Sequence, residues 1–304
     1  MIYTITLNPG LDYITGLSEF HWGKTNRTVS EAFKPGGKGI NVSIVLNRLG
    51  EASTAIAFTG GIIGEKLKAV IRGYGTDCEF IDVPGAETRI NVKLYADVVT
   101  EVNGAGIAFT EREKQLLAAR IGSMQPEDLL VISGTLPKGA DTGLYQELMH
   151  IAPCPVVLDT YGEALLKALP ERPFFIKPNE EEIAGIADLS GKTALNREEI
   201  ESCMRDLQNR GARNILVSRG KDNAFLLTED GRFFEAKTPK TPEGAVIYPI
   251  GAGDSLVAGF IYASRHFENP EDWLKYALSA GTASVLCPFL AEKEKTEELY
   301  QNTR

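Results

Sequence analysis

Alternation of strand-like and helix-like segments is the feature that most constrains how this chain can fold. After a first β-rich run at 2–7, apolar strand-like runs recur at 54–59, 129–133, 156–159, 174–177 and 214–218. Segments with apolar residues at helical spacing separate these runs, and such an order predicts a mostly parallel sheet covered by helices. Two stretches, about 12–34 and 88–109, have no helical period and predict a small second sheet, a β-lid over one edge of a single domain spanning 1–304.

The predicted strands end at polar or glycine residues. Asn8 follows the first strand, and three more strands run into short polar segments: Ser133-Gly134-Thr135, Lys177-Pro178-Asn179 and Ser218-Arg219-Gly220. Ligands of open parallel sheets bind outside the carboxyl ends of the strands. These four strand ends therefore predict one shared binding site.

Two glycine-rich stretches lie directly before predicted helices. Gly251-Ala252-Gly253 precedes a helical pattern over about 254–266, and Gly36-Gly37-Lys38-Gly39 precedes another. Small residues at a helix N-terminus leave backbone N–H groups open to an anion such as phosphate. The carboxylate of Asp254 would repel that phosphate, unless it accepts a proton from a hydroxyl that attacks it. On this motif alone, an ordinary helix-capping aspartate is the alternative interpretation.

Composition excludes several classes of function. The net charge of −9 disfavours binding to nucleic acid or to an anionic membrane. The four cysteines and three histidines show no spacing typical of a metal site, and reduced thiols are expected. The N-terminal residues do not have the pattern of a signal peptide, and no apolar run reaches the roughly 18 residues of a membrane span. A cytoplasmic protein is expected.

Three motifs, taken together and in this order, identify a family. They are Pro-Gly-Gly-Lys-Gly-Ile-Asn-Val at 35–42, Lys-Pro-Asn-Glu-Glu-Glu at 177–182 and Gly-Ala-Gly-Asp-Ser at 251–255. Over nearly its whole length the chain resembles the ribokinase-like, or PfkB, carbohydrate kinases. The resemblance implies a three-layer α/β fold with a β-sheet lid, and ATP-dependent phosphorylation of a sugar with Mg²⁺ as cofactor.

Within that family the chain is most similar to the kinases of phosphorylated sugars. The stretches 7–12 and 133–139 resemble segments shared by 1-phosphofructokinase and tagatose-6-phosphate kinase, whereas 88–94 is more similar to the former. The implied substrate is fructose 1-phosphate, with tagatose 6-phosphate as the alternative. A catalytically silent sugar-phosphate sensor is the alternative of a different class. It would be expected to lack the base or the metal segment, but Asp254, Asn179 and Glu182 are all present.

The resemblance also implies roles for single residues. Asp254 would be the catalytic base, and the backbone amides of Gly251, Ala252 and Gly253 would hold the transferred phosphoryl group. The residues implied to bind the phosphosugar are Asp12, Gly37, Lys38, Asn41, Arg89, Asn91, Gly134 and Arg27. Arg89 would clamp the phosphate that the sugar already carries. Each of the two arginines could instead be an ordinary exposed side chain.

The nucleotide is assigned in the same way to a second group of residues. That group consists of Lys177, Asn179, Ser218 and Gly220, together with Gly251 and Gly253. Asn179 and Glu182 would organise Mg²⁺ through its bound waters. An acidic first helical turn is the alternative explanation of Glu182.

Other nucleotide-binding classes do not fit. A P-loop would need a glycine at Ala32 and a Ser or Thr after Lys38, where the chain has Gly39. A dinucleotide-binding motif would need a third glycine where Leu256 stands. The apolar residues Tyr13, Ile14, Phe20 and Trp22 of the small sheet are expected to be exposed and to need cover. Members of the resembled family commonly pair such lids across a two-fold axis, so the resemblance implies a homodimer formed through this lid.

Overall fold

The computed structural model describes residues 1–186, 194–242, 244–245 and 250–303. Within them the strands are β1 (Ile2–Thr6), β2 (Gly10–Gly16), β3 (Ser30–Gly36), β4 (Ser53–Thr59), β5 (Asp77–Asp82), β6 (Arg89–Tyr95), β7 (Val99–Asn103), β8 (Leu129–Ser133), β9 (Val156–Asp159), β10 (Phe175–Ile176), β11 (Asn214–Val217), β12 (Asn223–Leu227) and β13 (Phe233–Lys237). The helices are α1 (Lys38–Leu49), α2 (Gly61–Arg72), α3 (Glu111–Gly122), α4 (Leu144–Ile151), α5 (Gly162–Ala168), α6 (Glu180–Ile186), α7 (Arg197–Asn209), α8 (Ala252–His266), α9 (Pro270–Leu286) and α10 (Lys293–Gln301).

The main sheet confirms the predicted architecture. Its order across the described residues is β13-β12-β11-β10-β9-β8-β1-β4-β5. All neighbours from β11 to β5 are parallel, whereas β12 and β13 are antiparallel. The sequence pattern did not predict β5 and β13 at the two edges of the sheet, nor β12 beside β13. β5 is less completely buried, and β12 and β13 follow β11 through short turns rather than through helices.

Two helical layers cover this sheet, and successive residues of a strand face opposite layers. In β8, Leu130 and Ile132 pack with α3 to α7, whereas Val131 packs with α1, α2 and α8 to α10. This alternation follows from the two-residue repeat of a strand, and burial on both faces explains the continuous apolar runs of the central strands. The three-layer prediction is therefore confirmed.

The second sheet has the order β3-β2-β6-β7 and is built from the two stretches that had no helical period. Strands β2 and β6 are parallel, and the outer pairs are antiparallel. Of the four apolar residues expected to be exposed here, only Trp22 is, at 87%. The expectation was wrong for Tyr13, Ile14 and Phe20, which are half-buried: Tyr13 packs on Phe33, Phe20 packs on Trp22, and Ile14 contacts the main core.

Helices α1 and α8 begin side by side at the carboxyl edge of the main sheet. Gly37 precedes α1 with φ of 136°, and Gly251 precedes α8 with φ of 85°. A side chain at Gly39 would place its Cβ 2.4 Å from the carbonyl oxygen of Ile5, so glycine lets α1 approach β1 closely. Among the described residues no helix combines the length and the apolar character needed to cross a membrane.

Candidate active site

A cavity of about 390 Å³ lies between the carboxyl edge of the main sheet and the small sheet. Its main-sheet wall includes Thr6 at the end of β1 and Ser133 at the end of β8. The structure brings together most of the residues that the sequence predicted for the site. Those that line the cavity are Asp12, Gly37, Lys38, Asn41, Arg89, Asn91, Gly134, Gly251, Gly253 and Asp254.

Asp254 lies in the first turn of α8 and is only 6% exposed. Asn41, in the first turn of α1, donates a hydrogen bond from Nδ2 to Asp254 Oδ2 at 2.8 Å. The two residues are 213 positions apart in the chain. This bond holds the carboxylate at the point where the two helix N-termini meet, each of which offers open backbone N–H groups.

Burial raises the pKa of Asp254 to about 6. The charge of Lys38 and the hydrogen bond from Asn41 oppose this rise, and the nearby carboxylate of Asp159 adds to it. A general base works best when its pKa lies near the operating pH. Asp254 is therefore largely ionised at neutral pH, yet it retains enough basicity to accept a proton.

Asp159 is a residue of this region that the sequence analysis missed. It ends β9, it is buried, and its carboxylate lies between two lysines: Lys38 Nζ at 3.1 Å and Lys177 Nζ at 3.6 Å. Burial alone would raise the pKa of Asp159, but the two ammonium groups lower it below its ordinary value. The signal was present in the sequence, because Asp159 follows the apolar run of β9 as Asn8 follows that of β1.

Three carboxylates act on the charge of Lys38. Burial opposes its protonation, but the charges of Asp159, Asp254 and Glu182 raise the pKa of Lys38 above its ordinary value. The ammonium group therefore stays charged at any physiological pH. A fixed cation beside two helix N-termini makes this end of the cavity suitable for phosphate.

The small sheet supplies the opposite wall. Asn91 Nδ2 donates to Asp12 Oδ1 at 2.7 Å, and Arg89 donates to the carbonyl oxygens of Asn8 at 2.8 Å and Gly104 at 3.2 Å. Burial raises the pKa of Asp12, and the hydrogen bond from Asn91 and the charge of Lys93 oppose that rise.

Several buried polar atoms that line the cavity have no hydrogen-bond partner among the described residues. They are Asn8 Oδ1, Asn41 Oδ1, Arg89 Nε, Asn91 Oδ1 and Ser133 Oγ. Buried polar atoms are nearly always paired in folded proteins. Because these atoms belong to residues that surround one cavity, the site is suited to a polar ligand.

The other predicted residues do not line the cavity. Lys177 lies next to it, since a Cβ at Gly253 would be 3.4 Å from Lys177 Nζ. Ala252, Ser218 and Gly220 are not among the residues that line it, and Arg27 is exposed on the loop between β2 and β3.

Asn179 and Glu182 form a capping pair at the start of α6. Glu182 N–H donates to Asn179 Oδ1 at 2.8 Å, and Asn179 N–H donates to Glu182 Oε2 at 2.9 Å. This reciprocal pattern is a capping box, which explains their spacing of three residues in structural terms. Each carboxyl or amide oxygen still has a lone pair available for a further contact.

Other residues of the cavity were not predicted. Lys93, Asn103 and Ile250, to which the sequence assigned no role in binding, also line the cavity. Lys93 follows Asn91 by two residues, so the strand period places both side chains on one face. That period was a usable signal, whereas Asn103 reaches the site only through the pairing of β7 with β6.

Comparison with known proteins assigns the family. A model of the pfkB family carbohydrate kinases matches residues 11–296. The chain belongs to the PfkB family of carbohydrate kinases. As a PfkB kinase it is a phosphotransferase that uses an alcohol group as acceptor, and the family resemblance inferred from the three motifs is confirmed.

Relatives of this PfkB kinase match it from end to end. It is similar to a 1-phosphofructokinase of Bacillus subtilis, at 35% identity over 98% of this chain and 97% of the relative. A D-tagatose-1-phosphate kinase of Bacillus licheniformis is 34% identical over 98% of this chain and 97% of its own length. The structure of phosphofructokinase-2 from Escherichia coli in complex with fructose-6-phosphate has a TM-score of 0.89 and 26% identity, covering 99% of this chain and 98% of that chain.

The opposite pKa shifts of the two buried aspartates predict opposite effects on stability. The pKa of Asp254 in the folded protein, about 6, lies above that of an unfolded aspartate, so Asp254 loses stabilising effect as pH rises from about 4 to above 6. Asp254→Asn changes the free energy of unfolding, and we expect this change to be more stabilising at pH 8 than at pH 4. The difference between the two pH values should be up to about 3 kcal/mol. Urea unfolding at the two pH values measures this difference.

Asp159→Asn is the matched control with the opposite sign. The pKa of Asp159 is lowered in the folded state, so its contribution is present at pH 8 and is lost as pH falls through the folded pKa. The substitution should therefore destabilise the protein at pH 8, because it leaves Lys38 and Lys177 without their shared carboxylate. Equal effects of both substitutions at both pH values would contradict this assignment of charges.

Proposed function

We propose that this protein transfers the γ-phosphoryl group of ATP to a sugar that already carries one phosphate, with fructose 1-phosphate as substrate. The observation that carries the proposal is the position of Asp254. A buried carboxylate with a pKa of about 6 lies at the junction of two helix N-termini, in a cavity whose far wall carries the cations Arg89 and Lys93. A molecule with a hydroxyl at one end and a phosphate at the other matches both walls.

In the proposed reaction Asp254 accepts the proton of the sugar hydroxyl. The hydroxyl oxygen forms a bond to the γ-phosphorus, and the bond from that phosphorus to the bridging oxygen of ATP breaks, with its electrons remaining on ADP. The backbone N–H groups of Gly251, Ala252 and Gly253 stabilise the charge on the transferred group. Asn41 orients the base through its hydrogen bond of 2.8 Å.

Lys38 and Lys177 supply positive charge near the transferred phosphoryl group. Asp159 positions both, because it pairs with each lysine from a buried site at the end of β9. Ser218, Gly220 and Asn179 lie together at the end of β11, where Asn179 forms a bridge with Ser218, and they are proposed to contact the nucleotide.

Carbohydrate kinases of this family use ATP with a divalent metal, and we assign Mg²⁺ to this protein. No cluster of three or more His, Cys, Asp or Glu that could hold a metal occurs in the described part of the chain. Mg²⁺ commonly keeps several waters and binds one or two carboxylates together with substrate phosphates. Asn179 and Glu182 fit such a role, because the charge of Glu182 acts on Lys38 in the cavity. The metal would neutralise charge on the ATP phosphates.

The choice of substrate rests on the small sheet and on the relatives. Asp12 and Asn91 offer hydrogen bonds to sugar hydroxyls, and Arg89 offers its remaining N–H groups to phosphate. The two curated relatives reported above are named for substrates that carry a phosphate on carbon 1. Tagatose 6-phosphate is the second candidate, since the motifs around Asn8 and Ser133 do not separate the two groups of kinases.

An ADP-release assay with MgATP tests the substrate. We expect the highest kcat/KM with fructose 1-phosphate among fructose 1-phosphate, tagatose 1-phosphate, tagatose 6-phosphate, fructose 6-phosphate and fructose. A preference for tagatose 6-phosphate would leave the proposed catalytic roles unchanged but would make tagatose 6-phosphate the substrate. Binding of a phosphosugar without turnover of any of them would contradict the kinase assignment and support a sugar-phosphate sensor.

Substitution of the base tests the mechanism. Asp254→Asn should lower kcat by roughly 10²–10⁴-fold, the usual contribution of a positioned base, and leave ATP affinity nearly unchanged. Steady-state kinetics and a nucleotide titration measure the two effects. Asp97→Asn, in the exposed turn between β6 and β7, is a control for loss of a carboxylate and should keep kcat. A kcat of Asp254→Asn within threefold of the unmodified protein would exclude it as the base.

We also propose a homodimer that forms through the small sheet. The pairing of its strands places Tyr13, Phe33, Ile90 and Val102 on the face opposite Asp12 and Asn91, and the last three of these apolar residues are exposed. Exposed apolar patches of this kind commonly mark interfaces. Analytical ultracentrifugation should show a dimer at micromolar concentration, and Val102→Glu should dissociate it. A monomer at that concentration would contradict the proposal.

A further inference from the structure

Lys93 is a buried cation of the cavity, and in the described part of the chain its ion-pair partner is the carboxylate of Glu101. Its side chain is 7% exposed, and Nζ lies 2.5 Å from Glu101 Oε2 and 3.5 Å from Asn103 Oδ1. The antiparallel pairing of β6 with β7 places Glu101 directly opposite Lys93 and Asn103 opposite Asn91. Lys93 and Asn103 both line the cavity, but Glu101 does not.

The two partners of this ion pair differ in their access to solvent. The side chain of Glu101 is 39% exposed, so its carboxylate can be hydrated after a rotation away from Lys93. Lys93 has no comparable freedom, because an ammonium group in a buried position needs an anionic partner. The pair can therefore exchange its anion but not its cation.

Arg89 lies on the same face of β6 as Lys93, but its partners are not exchangeable carboxylates. Its two terminal nitrogens donate to the backbone carbonyls of Asn8 and Gly104, which are neutral and belong to the chain itself. Glu101 instead offers a full negative charge on a side chain at the rim. An anion that enters the cavity can replace Glu101 at Lys93 without breaking any backbone hydrogen bond.

We propose that Lys93, assisted by Asn103, binds the phosphate that the sugar substrate already carries, and that Glu101 is the counterion released when this phosphate arrives. The inference rests on the proposed function and names a part of its substrate site. Glu101 acts as an internal competitor. A phosphorylated sugar brings two negative charges that replace the carboxylate, whereas an unphosphorylated sugar brings none and leaves Lys93 paired.

This exchange makes the ion pair a determinant of specificity. A neutral sugar gains nothing from Lys93 because it cannot release Glu101. The site therefore favours phosphosugars by the difference in free energy between pairing Lys93 with phosphate and pairing it with the Glu101 carboxylate. The charges of Lys93 and Glu101 both reach Asp12: after burial and the hydrogen bond from Asn91, Lys93 lowers and Glu101 raises the pKa of Asp12. The pair therefore lies within electrostatic range of the residue proposed to hold the sugar hydroxyls.

Calorimetric titration of the full chain without nucleotide tests the exchange. The probe is the phosphosugar that the unmodified protein turns over best, with fructose 1-phosphate first. Lys93→Met should weaken its binding on the order of tenfold to a hundredfold, the effect of losing a charge-assisted hydrogen bond, and Lys93→Arg should restore part of it. Glu101→Gln should strengthen binding by roughly threefold to tenfold, because it removes the competing anion.

Asp97→Asn is the matched control, because it removes a carboxylate from the same hairpin that does not pair with Lys93. It should change phosphosugar affinity less than Glu101→Gln does, which separates anion exchange from a general gain of positive charge. A thermal melt of each variant verifies that it is folded at the titration temperature.

The outcomes separate this inference from the proposed function. If the unmodified protein turns over a phosphosugar but Glu101→Gln and Lys93→Met both weaken binding, the pair is structural and the exchange is refuted. An affinity of Lys93→Met equal to that of the unmodified protein would also refute it. If the unmodified protein neither binds nor turns over any phosphosugar, the proposed function itself fails and the inference fails with it.

Discussion

A carboxylate buried at a helix N-terminus needs fixed partners, and the hydrogen bond from Asn41 to Asp254 is the contact on which this site depends. It joins the first turns of α1 and α8, which approach each other because Gly37 and Gly251 adopt positive φ angles. A side chain at Gly251 would meet Leu290 at 2.4 Å. The same geometry that brings the two helices together also leaves their backbone N–H groups facing one cavity.

At the main-sheet side of this cavity, buried carboxylates and ammonium groups lie next to one another. Asp159 forms ion pairs with both Lys38 and Lys177, and Lys38 in turn limits the rise in the pKa of Asp254. Two buried aspartates consequently have opposite shifts: the pKa of Asp159 is lowered by two lysines, and the pKa of Asp254 is raised by burial. One carboxylate is suited to hold cations, and the other to accept a proton.

The small sheet gives the cavity its second wall. Its inner face carries Asp12, Asn91 and Lys93 in adjacent rows, and its outer face carries the exposed apolar side chains. Since side chains alternate along a strand, one sheet can serve a ligand on one side and another protein surface on the other. The proposed substrate site and the proposed dimer interface therefore lie on opposite faces of the same four strands.

Much of this protein could be predicted from its sequence, because local patterns carry the relevant information. The alternation of strands and helices determined the layered parallel sheet, and the glycine-rich stretches before α1 and α8 indicated where these two helices begin. The three motifs identified the family, and the family resemblance implied most of the residues that line the cavity. Of the four predicted strand ends, only those at Asn8 and at Ser133 to Thr135 line it.

Only the tertiary structure decided which charges meet. Asp159 contacts Lys38 across 121 residues of chain, and Asn103 reaches the cavity through the register of β7 on β6. Short strands such as β12 and β13 also depend on their neighbours, because a short strand is stabilised by pairing and burial rather than by its own pattern. Long-range pairing and burial set the pKa of Asp254, and no local stretch of sequence contains that information.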